Sequence, residues 1–228
     1  MSTKQTEQTP IAVDEVLSKS EAFVLKNKST IIGAVAAIVI LIAGSIIYHN
    51  YVAIPAEKEA AEALFPAQAL FEAGSYQEAL DGDGTNLGFI AIADEYSSTT
   101  SGNIANAYAG LSLAQLGKYE EAIPYLKSFD GDDQLVAPAV IGALGNCYAQ
   151  IGDNSAAVKS FTNAASMANN NTISAYYLMQ AAAIYEQEGK NAKALDLYEE
   201  IKKKYPTAIK SEQFQQGIDI EKYINRVK

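Results

Sequence analysis

The chain has one cysteine and one histidine, and each scarcity removes a class of chemistry. A lone Cys147 excludes an internal disulfide and any paired-cysteine metal or redox motif. Its apolar setting, LGNCYAQIG, predicts an inert buried thiol. His49, the sole histidine, has no carboxylate near it in sequence and directly follows an apolar run, so it reads as an interfacial side chain rather than a base or metal ligand. Basic residues are scarce as well. Of 17 basic and 27 acidic residues, four of each lie in residues 1–28, leaving 13 against 23 in the remainder. An acid excess of that kind argues against nucleic acid, because neutralising phosphates requires clustered Lys and Arg. No GxSxG, HExxH or phosphate-loop motif occurs, so the sequence gives no catalytic constellation and implies no cofactor, metal or small-molecule substrate. The chain is read as a non-enzyme.

What is present begins with a stretch free of charge. Between Lys28 and Glu57 there is no Asp, Glu, Lys or Arg, and Ile31 to Tyr48 is apolar apart from Ser45 and the terminal Tyr48. Eighteen helical residues rise about 27 Å, close to the roughly 30 Å hydrocarbon core of a bilayer. The leading segment is too long and too acidic for a signal-peptide n-region, and no convincing cleavage site follows. Residues 29–54 are therefore expected to be an uncleaved signal anchor. Lys19, Lys26 and Lys28 precede the run while only Lys58 lies close beyond it, which places the N-terminus in the cytoplasm. Gly33, Ala37 and Gly44 form a small-residue stripe of the kind that admits close approach of another helix, although such residues are frequent in any span. Residues 1–28 are expected to be largely unstructured, with a short amphipathic turn at Ile11–Leu17.

Beyond residue 55 the decisive feature is internal repetition. The segments 108–126, 144–161 and 180–198 align, each with a small residue (Gly110, Gly145, Ala182) seven positions before a glycine (Gly117, Gly152, Gly189). Five residues past that glycine stands Ala122, Ala157 or Ala194, and four further on Leu126, Phe161 or Tyr198. In a helical hairpin the glycine ends the first helix in a left-handed conformation, and the small residues mark where paired helices cross too closely for bulk. The glycines recur at 35 and 37 residues, near the roughly 34 of a tetratricopeptide repeat. A weaker copy precedes them, with Gly74, Tyr76 and Ala79 in register. Within it Pro66 is expected to kink or interrupt the first helix, and DGDGTNLG (81–88) is an insertion after which helix resumes at Phe89.

Two acidic stretches invite a metal reading and fail it. Asp81, Asp83 and Thr85 imitate the opening of a calcium loop, but Asn86 and Ile92 stand where glycine and a bidentate Glu are required. Asp130, Asp132 and Asp133 read as a solvated loop between repeats. Asn27-Lys28-Ser29 and Asn170-Asn171-Thr172 match a glycosylation sequon that is short enough to recur by chance.

On these residues the chain resembles the tetratricopeptide-repeat (TPR) family across residues 60 to 206, with Tyr205-Pro206 closing the last repeat. The expected fold is all-α, an α-solenoid of about four helix-turn-helix repeats preceded by one transmembrane helix. A capping helix is predicted over Ser211–Val227, where Ile220, Ile224 and Val227 recur at helical spacing. The family resemblance implies that the first helix of each repeat lines a concave face. The positions so implied are Ala61, Leu64, Gln68 and Phe71; Ile104, Ala107, Leu111 and Ala114; Ala139, Gly142, Asn146 and Ala149; and Tyr176, Met179, Ala183 and Glu186. Leu64, Phe71, Ile104, Leu111, Asn146, Tyr176 and Met179 are the candidate partner-binding side chains among them. None of the sixteen is Lys or Arg, so the family's basic carboxylate clamp is not implied here. The overall layout resembles the YfgM-like family of ancillary translocon subunits. That resemblance implies a bacterial inner-membrane protein with an exported repeat domain, whose partners are exported proteins or subunits of membrane and envelope complexes. A structural adaptor in envelope assembly or cell division is the alternative.

Overall fold

The computed structural model describes residues 21–206, 208 and 219–228. The chain divides into two compact units, Met1–Pro55 and Ala56–Lys228. In the first, residues 21–26 are helical, and helix α1 (Lys28–Tyr48) is followed by a π-helical turn at His49–Ala53. Residues 21–26 were expected to be unstructured, but Phe23, Val24 and Leu25 offer no turn or capping chemistry to stop a helix. No residue of α1 is buried, and it is long and apolar enough to cross a membrane. The predicted turn at Ile11–Leu17 lies outside the described residues.

The second unit is built of helices α2 (Ile54–Glu72), α3 (Tyr76–Asp81), α4 (Phe89–Glu95), α5 (Thr100–Gln115), α6 (Tyr119–Ser128), α7 (Val136–Gln150), α8 (Asn154–Ala168), α9 (Asn171–Gln187), α10 (Asn191–Lys204) and α11 (Ile220–Val227). Among the described residues no strand forms, and the one β-type pairing is an isolated bridge between Gly82 and Leu87.

The hairpin turns repeat atom for atom. Gly74, Gly117, Gly152 and Gly189 all have φ between 71° and 82°, in the left-handed region. At each, the glycine N–H donates three residues back and the next N–H donates five back, as in Gly117 to Ala114 and Lys118 to Leu113. That paired bond satisfies two carbonyls that the helix end would otherwise leave open.

The small residues act where the repeat predicts. A Cβ on Gly110 would stand 2.5 Å from Leu126 Cγ, and one on Gly145 would stand 2.8 Å from Phe161 Cε1. Ala122, Ala157, Ala182 and Ala194 are fully buried at the same crossings. One core runs from Leu64 to Cys147 across α2–α7, and a second from Ala157 to Val227 across α8–α11.

Pro66 does not interrupt α2, contrary to expectation: the helix continues from Ile54 to Glu72. The carbonyl that proline leaves without a donor belongs to Glu62, an exposed residue, where solvent can take the donor's place. Pro124 inside α6 follows the same rule, its freed carbonyl lying on exposed Glu120. The insertion replaces one second helix with two short ones, α3 and α4. Asp83 organises it by accepting from the backbone N–H of Thr85 at 2.8 Å and of Asn86 at 2.7 Å. Those bonds hold the Asp83 carboxyl below its usual range, so its oxygens serve the turn.

Ile220, Ile224 and Val227 of α11 are buried against α10 and the second core. The predicted cap is therefore helical over Ile220–Val227; residues 211–218 of it lie outside the described residues.

Candidate partner-binding face

The sixteen implied positions divide by depth. Leu64 is 6% exposed and belongs to the first core, as do buried Ala107 and the half-buried Ile104 and Leu111 packed against it. Phe71 is half-buried in an aromatic cluster, its ring 5.3 Å from Tyr76, 6.3 Å from Phe89 and 5.1 Å from Tyr108. Met179 packs partly buried against the second core. Asn146 and Tyr176 are exposed, together with Ala61 and Ala139. The first half of the predicted face thus spends its large side chains on packing, whereas α7 and α9 leave Asn146 and Tyr176 exposed.

There the structure forms a groove of about 580 Å³, lined by Leu135, Ala139, Asn170, Thr172, Ile173, Tyr176 and Tyr177. Its shape follows from one small residue. Gly142 leaves no room for a Cβ, because that position is taken by the Tyr177 ring. Tyr177 stacks on Phe161 at 6.2 Å and meets Tyr176 edge-on at 5.1 Å, so the buried ring fixes the exposed one. Burial, with the neighbouring Tyr176 adding to it, raises the Tyr177 phenol above its ordinary pKa, leaving it neutral.

Both helix starts at the groove are capped by side chains. The Asp133 carboxylate accepts from Leu135, Val136 and Ala137 N–H at 2.7, 2.6 and 3.1 Å, and the first two bonds account for most of its depressed pKa. Asn170 Oδ1 accepts from Thr172 and Ile173 N–H. The loop from Asp130 to Asp133 was read simply as solvated; it also starts α7. Leu135 and Ile173 were missed in the sequence because they lie at helix starts, ahead of the periodic stretch that marks a face.

Glu186, at the far end of α9, is engaged from two sides. Tyr198 donates to it at 2.6 Å, and Arg226 of α11 donates at 2.8 Å. Burial would raise the Glu186 carboxyl, but the Arg226 and Tyr198 hydrogen bonds outweigh it and hold the pKa low. Burial and the Glu186 partner push the Tyr198 phenol strongly up. Cys147 is fully buried, and burial raises its thiol pKa, which suits an unreactive side chain.

Models of the tetratricopeptide repeat match residues 140–173 and 176–208, the α7/α8 and α9/α10 hairpins. The second unit is an α-solenoid of tetratricopeptide repeats. Among solved structures, the chain is similar to "Crystal structure of MamA protein", at 18% identity and a TM-score of 0.51, over 74% of this chain and 89% of that one. At that identity the likeness concerns the fold. No curated protein matches the chain. The turns at Gly74 and Gly117 share the backbone geometry of those at Gly152 and Gly189 but lie ahead of the residues that the family models match.

Proposed function

We propose that this chain is a membrane-anchored scaffold that binds other proteins along the concave side of its repeats and performs no catalysis. The observation that carries the reading is the solvent-open apolar groove between α7 and α9, where Leu135 and Tyr176 stay 67% and 43% exposed. An apolar side chain entering that groove removes surface from water on both partners, the usual source of affinity in groove recognition.

The finer reading concerns place and client. The lysine asymmetry around α1 supports a cytoplasmic N-terminus and an exported repeat unit in a bacterial inner membrane. An extracytoplasmic face floored by small and apolar residues suits assistance to exported chains, as the resemblance to YfgM-like translocon subunits implies. The test is to install a photo-crosslinking amino acid at Tyr176 in the full chain, with Lys159 on a different surface as control. Crosslinks from position 176 to exported proteins or translocon subunits support the reading. Crosslinks to cell-wall or division machinery instead favour the structural-adaptor role. Equal labelling from both positions sinks recognition by the concave face.

A further inference from the structure

The groove between α7 and α9 has a charge environment as one-sided as its shape. Lys159 is the only basic residue between Ser128 and Gln187, a stretch that contains Asp130, Asp132, Asp133, Asp153 and Glu186. Lys159 lines a different depression, with Lys127, Ile141 and Tyr148. Among the described residues no basic side chain lines the groove itself. The loop 129–134, which carries three carboxylates, runs straight into Leu135 at one edge of the groove, while Asp130 at its far end lines a separate depression with Asn103 and Ser128. Asp133 is fixed there by its bonds to the start of α7, and the helix end offsets part of its charge. Exposed Asp132 stands next to it in the chain, and residues 29–228 hold 23 acidic against 13 basic residues.

Apolar and electrostatic features therefore adjoin. Leu135, Val136 and Tyr176 are 67%, 54% and 43% exposed, and Ala139 beside them is too small to fill the space. An acidic free carboxylate or acidic peptide would meet like charge, which costs affinity and slows encounter, whereas a cationic segment is steered in. We infer that the occupant of this groove is a peptide segment presenting an apolar side chain next to lysine or arginine. This rests on the reading of the concave face as the recognition surface and adds the chemistry of what is recognised.

The experiment uses the full chain in phosphatidylcholine nanodiscs, with empty nanodiscs subtracted, and three fluorescein-labelled peptides read by anisotropy. One carries Leu and Phe flanked by lysines, the second has Glu for each Lys, and the third has Ser for Leu and Phe. The lysine peptide is expected to bind roughly tenfold or more tightly than the other two, a difference that corresponds to one decade in Kd. Asp132→Asn, which spares the cap at Asp133, should weaken it several-fold and flatten its salt dependence. Tyr176→Ser should weaken it about as much as removing the apolar residues, with Leu135→Ser as the second variant should the first unfold. Binding that ignores peptide charge but needs Tyr176 overturns the inference and leaves the proposed function standing. Binding by no peptide, or binding indifferent to both Tyr176 and Leu135, overturns both. A dimer in sedimentation that Tyr176→Ser abolishes also overturns it, since the groove then holds a second copy.

Discussion

Glu57 caps a helix that begins 43 residues later, at Thr100: its carboxylate accepts from the Ser101 backbone N–H at 3.1 Å and from the Ser101 hydroxyl at 2.7 Å. The Thr100 N–H donates to the same carboxylate at 2.6 Å. The first turn of α5 thus draws on the chain's own α2 for acceptors, in addition to Thr99, whose side chain accepts from Gly102. Glu57→Ala should destabilise the second unit by about 1–2 kcal/mol, the scale of a lost cap, and Glu57→Gln by less. Chemical denaturation followed by circular dichroism measures it, and an Ala variant as stable as the parent would remove the cap from the account.

The close crossings give a second prediction. Ala157→Leu or Ala194→Leu, at fully buried positions, should cost about 1–3 kcal/mol by overpacking. A leucine variant of either with parental stability would show that the helices have more room than the repeat register allows.

Acid should loosen the C-terminal helix. The folded-state pKa of Glu186 is depressed, so its contribution is fully present above the unfolded value and is lost as pH falls through the folded one. Below the ordinary carboxyl range the Arg226 bond loses its charged acceptor. The stability gap between the parent and Glu186→Gln should therefore be widest near neutrality and close on acidification. A gap that stays constant down to strongly acid pH would mean the pair carries no charge-dependent stability.

Deleting residues 211–228 should lower the melting temperature and promote association, because Ile220, Ile224 and Val227 cover apolar surface of the second core. Light scattering alongside the melting curve reads both effects, and an unchanged curve would refute the cap.

Topology is testable in cells. Protease added to spheroplasts should digest the chain beyond about residue 55 and spare the N-terminus, given the positive-inside asymmetry. A C-terminal reporter that works only in the cytoplasm, if active, reverses the orientation.

Much of the fold was legible because the repeat writes its constraints locally. A turn glycine, a small residue seven earlier and an alanine five later each answer to one steric demand, so Gly117 and Ala122 could be placed without a partner in view. The binding face was harder. Family positions named Tyr176 and Asn146, which are exposed, but equally Leu64 and Ile104, which pack inward, because position in the helix does not tell how far a neighbouring repeat closes over it. Leu135 escaped for the opposite reason, since the start of a helix has no periodicity to read. Glu57 bonding to Ser101 joins two positions that no local pattern links. Pro66 misled because proline's effect depends on whether its freed carbonyl reaches water.

The contact between Gly142 and Tyr177 also bears on how this surface can diverge. One ring serves as a wall of the groove and as a pillar of the interior, so neither residue can vary without cost to folding. Adaptation to a new client is thereby channelled into Leu135, Ala139 and Tyr176, where the chain is free to explore. Among related chains, the glycine and its tyrosine should be kept together or lost together, while the three exposed positions drift with the partner.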